Sequence, residues 1–97
     1  MAKQITPYHT VETPSFPPID AEATGKHVYR LLKEHGYTPM DIAHMVGATS
    51  PQVAYNWKDG KRMPKIDNLD IISSILGISI NDLLVHFGDE EVPRLAA

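Results

Sequence analysis

The 97-residue chain contains no cysteine. Disulfide staples and thiolate metal sites are therefore excluded, and a reducing cytosol is the expected location. No stretch of about 18 consecutive apolar residues occurs, the length that a membrane-spanning helix needs. The opening residues Met1-Ala2-Lys3-Gln4 lack the apolar segment of a secretory signal. A basic excess is also missing, since 9 Lys and Arg stand against 12 Asp and Glu, for a net charge of −3. A basic footprint is the usual first mark of a nucleic-acid partner, so the total argues mildly against one. No P-loop, GxSxG, HExxH or dinucleotide fingerprint appears. His9, His27, His35, His44 and His86 are scattered without a ligand triplet, and Ser73-Ser74 has no identifiable base. No catalytic residue, cofactor or metal site is expected.

What the sequence does contain is ordinary globular composition, 42% hydrophobic and 22% charged. That is enough for one core and little more. Residues 1–19 carry four of the eight prolines, Pro7, Pro14, Pro17 and Pro18. Proline donates no N–H and biases its predecessor towards extended shapes, so this arm is expected to be extended or disordered. Phe16 and Ile19 are its candidates for docking on the domain or on a partner chain. The folded domain is expected over 20–87, followed by an acidic tail over 88–97 that includes Asp89-Glu90-Glu91.

From Asp20 onward the pattern is helical throughout. Asp20 is a candidate N-cap, and Val28, Leu31, Leu32 and His35 recur at spacings of three and four as one stripe that ends before Gly36. Thr38 caps a second helix, with Pro39 at its first position and Asp41 at its third. The missing proline N–H costs nothing there, and Thr-x-x-Asp approximates a capping box. Ile42, Met45 and Val46 form its apolar face, and Gly47 ends it. Thr49 or Ser50 caps a third helix that runs through Trp57 to Asp59-Gly60. A fourth follows Pro64 with Ile66, Leu69, Ile72, Ile75 and Leu76. Ser79 caps a fifth, with Leu83 and Leu84 inward. The fold class is all-α: five helices of roughly 8–15 residues joined by short turns.

A helix-turn-helix corner is implied by the short junction around Gly47, since a connection that brief forces a sharp crossing. Ala43 is small where the third helix must pass closely, and Ala54 and Trp57 share that helix's inner side. The ordered set of motifs is more specific. Gly25-x-x-Val28-x-x-Leu31, Gly36-Tyr37-Thr38, Ile42-Ala43, Val46-Gly47, Ser50-Pro51-Gln52 with Tyr55-Asn56-Trp57, Gly60-Lys61-Arg62-x-Pro64, and Asn68-Leu69 through Leu76-Gly77-Ile78-Ser79 to Leu83-Leu84 span residues 25–84. Together they resemble the helix-turn-helix of the Cro/phage-repressor (XRE-like) family. The resemblance implies a compact five-helix, lambda-repressor-like domain that binds double-stranded DNA as a homodimeric repressor.

On that reading the third helix enters the major groove, where amide side chains match adenine N6 and N7. Ser50, Gln52, Tyr55 and Asn56 are the expected base readers. Backbone phosphates are expected to meet Thr38, Lys58, Lys61, Arg62 and Lys65, because helix starts and basic side chains both suit them. Three departures qualify the resemblance. Pro39 replaces a common polar residue and removes a donor. Leu32 and Lys58 stand where many members have an Arg–Glu pair, so an apolar contact and an outward Lys are expected instead. Ala48-Thr49 lengthens the turn by one residue, which bears on the readers' register. Net acidity, Pro39 and the long arm keep open a second class of function, an interaction module binding a protein in the manner of an antitoxin.

Overall fold

The computed structural model describes residues 17–89; Phe16, the rest of the arm before it, Glu90 and Glu91 lie outside the described residues. Five α-helices follow in order: α1 (Ala21–Glu34), α2 (Pro39–Met45), α3 (Gln52–Lys58), α4 (Ile66–Leu76) and α5 (Ile80–Leu83). Among the described residues the sole β pairing is an isolated antiparallel bridge between Ile19 and His86. The all-α expectation holds.

Local chemistry sets the helix starts. The Asp20 carboxylate accepts from the Ala23 N–H at 3.0 Å and opens α1. At α2 the capping box is complete. Thr38 Oγ1 accepts from the Asp41 N–H at 3.1 Å, and Asp41 Oδ2 accepts from the Thr38 N–H at 2.9 Å. Ser79 Oγ accepts from the Asp82 N–H at 3.3 Å and starts α5. A cap of this kind stabilises its helix by about 1 kcal/mol.

The inner faces meet in one core. Val28 and Leu32 come from α1, Ile42 and Ala43 from α2, Ala54 and Trp57 from α3, Leu69 and Ile72 from α4, and Leu83 from α5, all buried. Helix α3 packs on both α1 and α2, and α5 packs on α4 and α1. Two alanines face inward on the helices that cross, so α2 and α3 approach closely and Trp57 fills the space beyond. Leu32 is fully buried in the cluster that contains Trp57, as its apolar replacement of a charge pair requires.

Several expectations need correction. Helices α2 and α3 have seven residues each and α5 only four, shorter than the range expected. Helix α5 stops because Leu84 turns to extended backbone, which brings Val85 to Phe87 alongside Pro18 to Asp20. The Asp20 N–H donates to the Val85 carbonyl at 2.8 Å, and the Phe87 N–H donates to the Pro18 carbonyl at 3.1 Å. His35 leaves the apolar stripe: it caps α1 at the C-terminus, is exposed, and turns its Nδ1–H back to the Leu31 carbonyl at 2.8 Å. Ile66 and Ile75 are exposed, because Leu69 and Ile72 already occupy the side of α4 that faces the core.

Candidate nucleic-acid interface

The interface is built on α3. Pro51 is the N-cap, and its carbonyl accepts the Ala54 N–H at 3.0 Å. Neither Thr49 nor Ser50 occupies the cap position that the sequence suggested. Proline fits there because its ring already holds φ near the helical value, here −72°. Ser50 still contributes: its Oγ accepts from the Gln52 N–H at 3.3 Å.

With 3.6 residues per turn, burying Ala54 and Trp57 turns Gln52 almost directly outward, with Tyr55 and Asn56 on either side of it. Gln52 and Tyr55 are exposed and Asn56 is half-buried. The two amides are not independent, since Gln52 Nε2 donates to Asn56 Oδ1 at 3.0 Å. Lys58 lies in the last turn of α3, not in the following loop, and its Nζ stands 6.0 Å from the Tyr55 ring centroid. The structure therefore gathers Gln52, Tyr55, Asn56 and Lys58 on one short element, with Ser50 just ahead of its N-cap.

The basic loop is fastened to the same element. At the end of α3 the Gly60 N–H donates to the Trp57 carbonyl at 3.0 Å and the Lys61 N–H to the Asn56 carbonyl at 2.9 Å. This is the paired closure of a Schellman motif, which needs a left-handed residue at Gly60, where φ is 77°. The Arg62 N–H also reaches the Asn56 carbonyl, at 3.3 Å. Lys58, Lys61, Arg62 and Lys65 are all exposed, and among the described residues none is ion-paired. Four cations thus lie in the last turn of α3 and the segment that follows it, with no contact carboxylate to compensate them among the described residues.

Thr38 stands apart at the start of α2. Its N–H donates to the Asp41 carboxylate, and its hydroxyl is also engaged by Asp41. The Thr38 backbone and side-chain hydrogen bonds hold the Asp41 carboxyl below the usual carboxylate range. A full negative charge therefore stands beside Thr38 at neutral pH, which disfavours a phosphate there.

Three residues of α1 border the loop, of which only Gly25 stands in a motif named from the sequence. A Cβ on Gly25 would lie 2.5 Å from the Arg62 carbonyl oxygen and 3.1 Å from that of Trp57, so α1 touches the loop backbone directly. Glu22 and Lys26, paired at 2.9 Å, lie against Gly60. The hydrogen bond and charge of Glu22 raise the Lys26 ammonium above its ordinary value. A glycine inside a helix is itself a sequence signal of close backbone approach. Among the described residues no group of three or more His, Asp or Glu is arranged to hold a metal, and no helix is long and apolar enough to cross a membrane.

A short helix anchored by Ala54 and Trp57, crossing a second helix at a tight corner and presenting amides outward beside a basic loop, defines a helix-turn-helix domain. A family model described as Helix-turn-helix matches residues 28–83, more than half of the chain. The chain belongs to that family, the Cro/C1-type, XRE-like class of DNA-binding regulators. No curated protein matches it in sequence comparison.

Proposed function

We propose that this protein is a sequence-specific regulator of transcription, of the repressor type, that binds double-stranded DNA as a homodimer in the cytoplasm. Helix α3 lies in the major groove, with Gln52 and Asn56 as its principal base readers and Ser50 and Tyr55 at the margins. Lys58, Lys61, Arg62 and Lys65 grip the phosphates flanking the groove, and Thr38 adds a weaker contact. The observation that carries this reading is the union of both parts on one backbone unit: the Asn56 carbonyl that ends the reading helix also holds the Lys61 and Arg62 N–H groups. Phosphate contacts fix register and base contacts specify sequence, so a reader needs the two at a constant spacing. A dimer would place two such helices in half-sites about one helical turn apart.

A second reading is favoured by one observation, the Asp41 carboxylate at the start of α2. In that reading the same fold serves as an interaction module for a protein partner, antitoxin-like, with DNA contact secondary. Selection of sites from random duplex DNA, followed by a salt titration of the selected duplex, separates the two. A phosphate-gripping regulator yields two half-sites and an affinity that falls steeply with salt. Recovery of no preferred duplex at low salt overturns the regulator reading.

A further inference from the structure

The hydrogen bond between the two outward amides of α3 has a direction, and the direction has a chemical consequence. Gln52 Nε2 donates and Asn56 Oδ1 accepts, at 3.0 Å across one helical turn. A glutamine amide offers two N–H donors and one carbonyl acceptor. Once one N–H is spent on Asn56, Gln52 is left with one donor and one acceptor side by side. Its amide can no longer turn end for end without breaking the contact.

From this we infer that Gln52 and Asn56 act as a single reading unit selective for adenine, with Asn56 as the positioning residue that fixes which end of the Gln52 amide faces the groove. This inference rests on the proposal that α3 reads duplex DNA. In the major groove adenine presents an acceptor at N7 and a donor at N6, which the held amide complements bidentately. Guanine presents two acceptors, N7 and O6, and calls for two donors. The held Gln52 has one to spare. An unrestrained glutamine would sample both orientations and discriminate less, because ordering its side chain would then be charged against the correct base.

The local surroundings favour the pairing. Gln52 is exposed and sits nearly opposite the buried Ala54–Trp57 side, where no core contact competes for its amide. Asn56 is half-buried, and its own carbonyl is fixed by the Lys61 and Arg62 N–H groups, so its position on the helix is secured at the backbone. The half-buried side chain, on a backbone fixed at its carbonyl, holds the exposed one.

The test is a double-mutant cycle read as base preference, not as total affinity. The full chain and the variants Gln52→Ala, Asn56→Ala, Asn56→Asp and the double alanine variant are each measured against the selected duplex and against the same duplex with one A·T pair replaced by G·C. Melting temperatures are taken alongside to confirm folding. The unmodified chain is expected to prefer adenine on the order of 10- to 100-fold at one pair of each half-site. Gln52→Ala and Asn56→Ala are each expected to lose most of that ratio, and the double variant to lose no more than either. Asn56→Asp keeps an acceptor at the same place, so it keeps the ratio while its added charge weakens binding to every duplex alike. Three results overturn the inference: an Asn56→Ala ratio equal to that of the unmodified chain, losses that multiply in the double variant, or a preference for guanine. Failure of the unmodified chain to prefer any duplex overturns the DNA reading beneath it as well.

Discussion

Thr24 and Val85, 61 positions apart, bond each other in both directions: the Val85 N–H donates to Thr24 Oγ1 at 2.9 Å, and the Thr24 hydroxyl donates to the Val85 carbonyl at 3.2 Å. Thr24 is fully buried on α1, so one side chain serves both polar groups of a backbone unit that has left helical structure. The pair ties the segment after α5 to the helix that also supports the basic loop. Thr24→Val keeps the shape and removes both bonds, leaving the Val85 amide without its partner. A stability loss of about 1–3 kcal/mol is expected by chemical denaturation, the usual cost of an orphaned buried group. An unchanged midpoint would show that solvent replaces the hydroxyl freely.

Gly25→Ala tests the close approach of α1 to the loop. The new methyl would meet the Arg62 and Trp57 carbonyl oxygens at distances that real Cβ atoms do not adopt or seldom adopt, and backbone atoms cannot swing aside as side chains do. The expected cost is about 1–3 kcal/mol by thermal melting, despite alanine's better helix propensity. A raised melting temperature would mean that the loop moves away without penalty.

Asp41 gives the fold a pH signature at α2. Its folded-state pKa is lowered by the Thr38 hydrogen bonds. Stability from the carboxylate is therefore complete above its ordinary value of about 3.9 and is lost as pH falls through the lower folded value. Asp41→Asn is expected to melt earlier than the unmodified chain at neutral pH. The gap should close as the solution is acidified below about pH 4. A gap that stays constant from neutral to strongly acid pH would assign the difference to something other than the charge.

Lys61→Ala should weaken binding to selected and unrelated duplexes by the same factor and reduce the salt slope by about one. Gln52→Ala should instead reduce the difference between selected and unrelated duplexes and leave the salt slope alone. Equal effects of the two substitutions on both readouts would dissolve the division between phosphate grip and base reading.

The parts of this fold that were legible in the sequence are those whose physics is local. Thr38-Pro39-x-Asp41 announces its capping box because all participants lie within one turn, and it formed in full. Trp57 and the two alanines were legible because a small–small crossing beside one large side chain has few other uses. His35 misled, since helical spacing continues past the last residue that the core can reach. Thr24 was not legible at all: a threonine in a polar stretch reads as surface, and its partner lies 61 positions away. A separation of 55 positions likewise hid His27, whose Nε2–H donates to the Asp82 carbonyl at 3.0 Å while Arg30 donates to its Nδ1 at 2.9 Å. An arginine cannot accept and a carbonyl cannot donate, so the ring's tautomer is fixed by partners that only the fold brings together. At the interface the outward side of α3 was readable from Ala54 and Trp57, but the bond joining Gln52 to Asn56 required coordinates.

The closure at Gly60 carries one more consequence, for retargeting. From Ser50 Oγ to the Arg62 N–H, the bonds that start α3 and close its basic loop run through backbone or through Ser50, and the bond among the outward side chains joins only Gln52 to Asn56. Position 55 and the coupled pair 52 and 56 are therefore letters on a fixed type block. If α3 reads DNA as proposed, new sequence preferences can be installed there while the basic loop keeps its place, whereas one residue inserted between Lys58 and Lys61 would spoil both together.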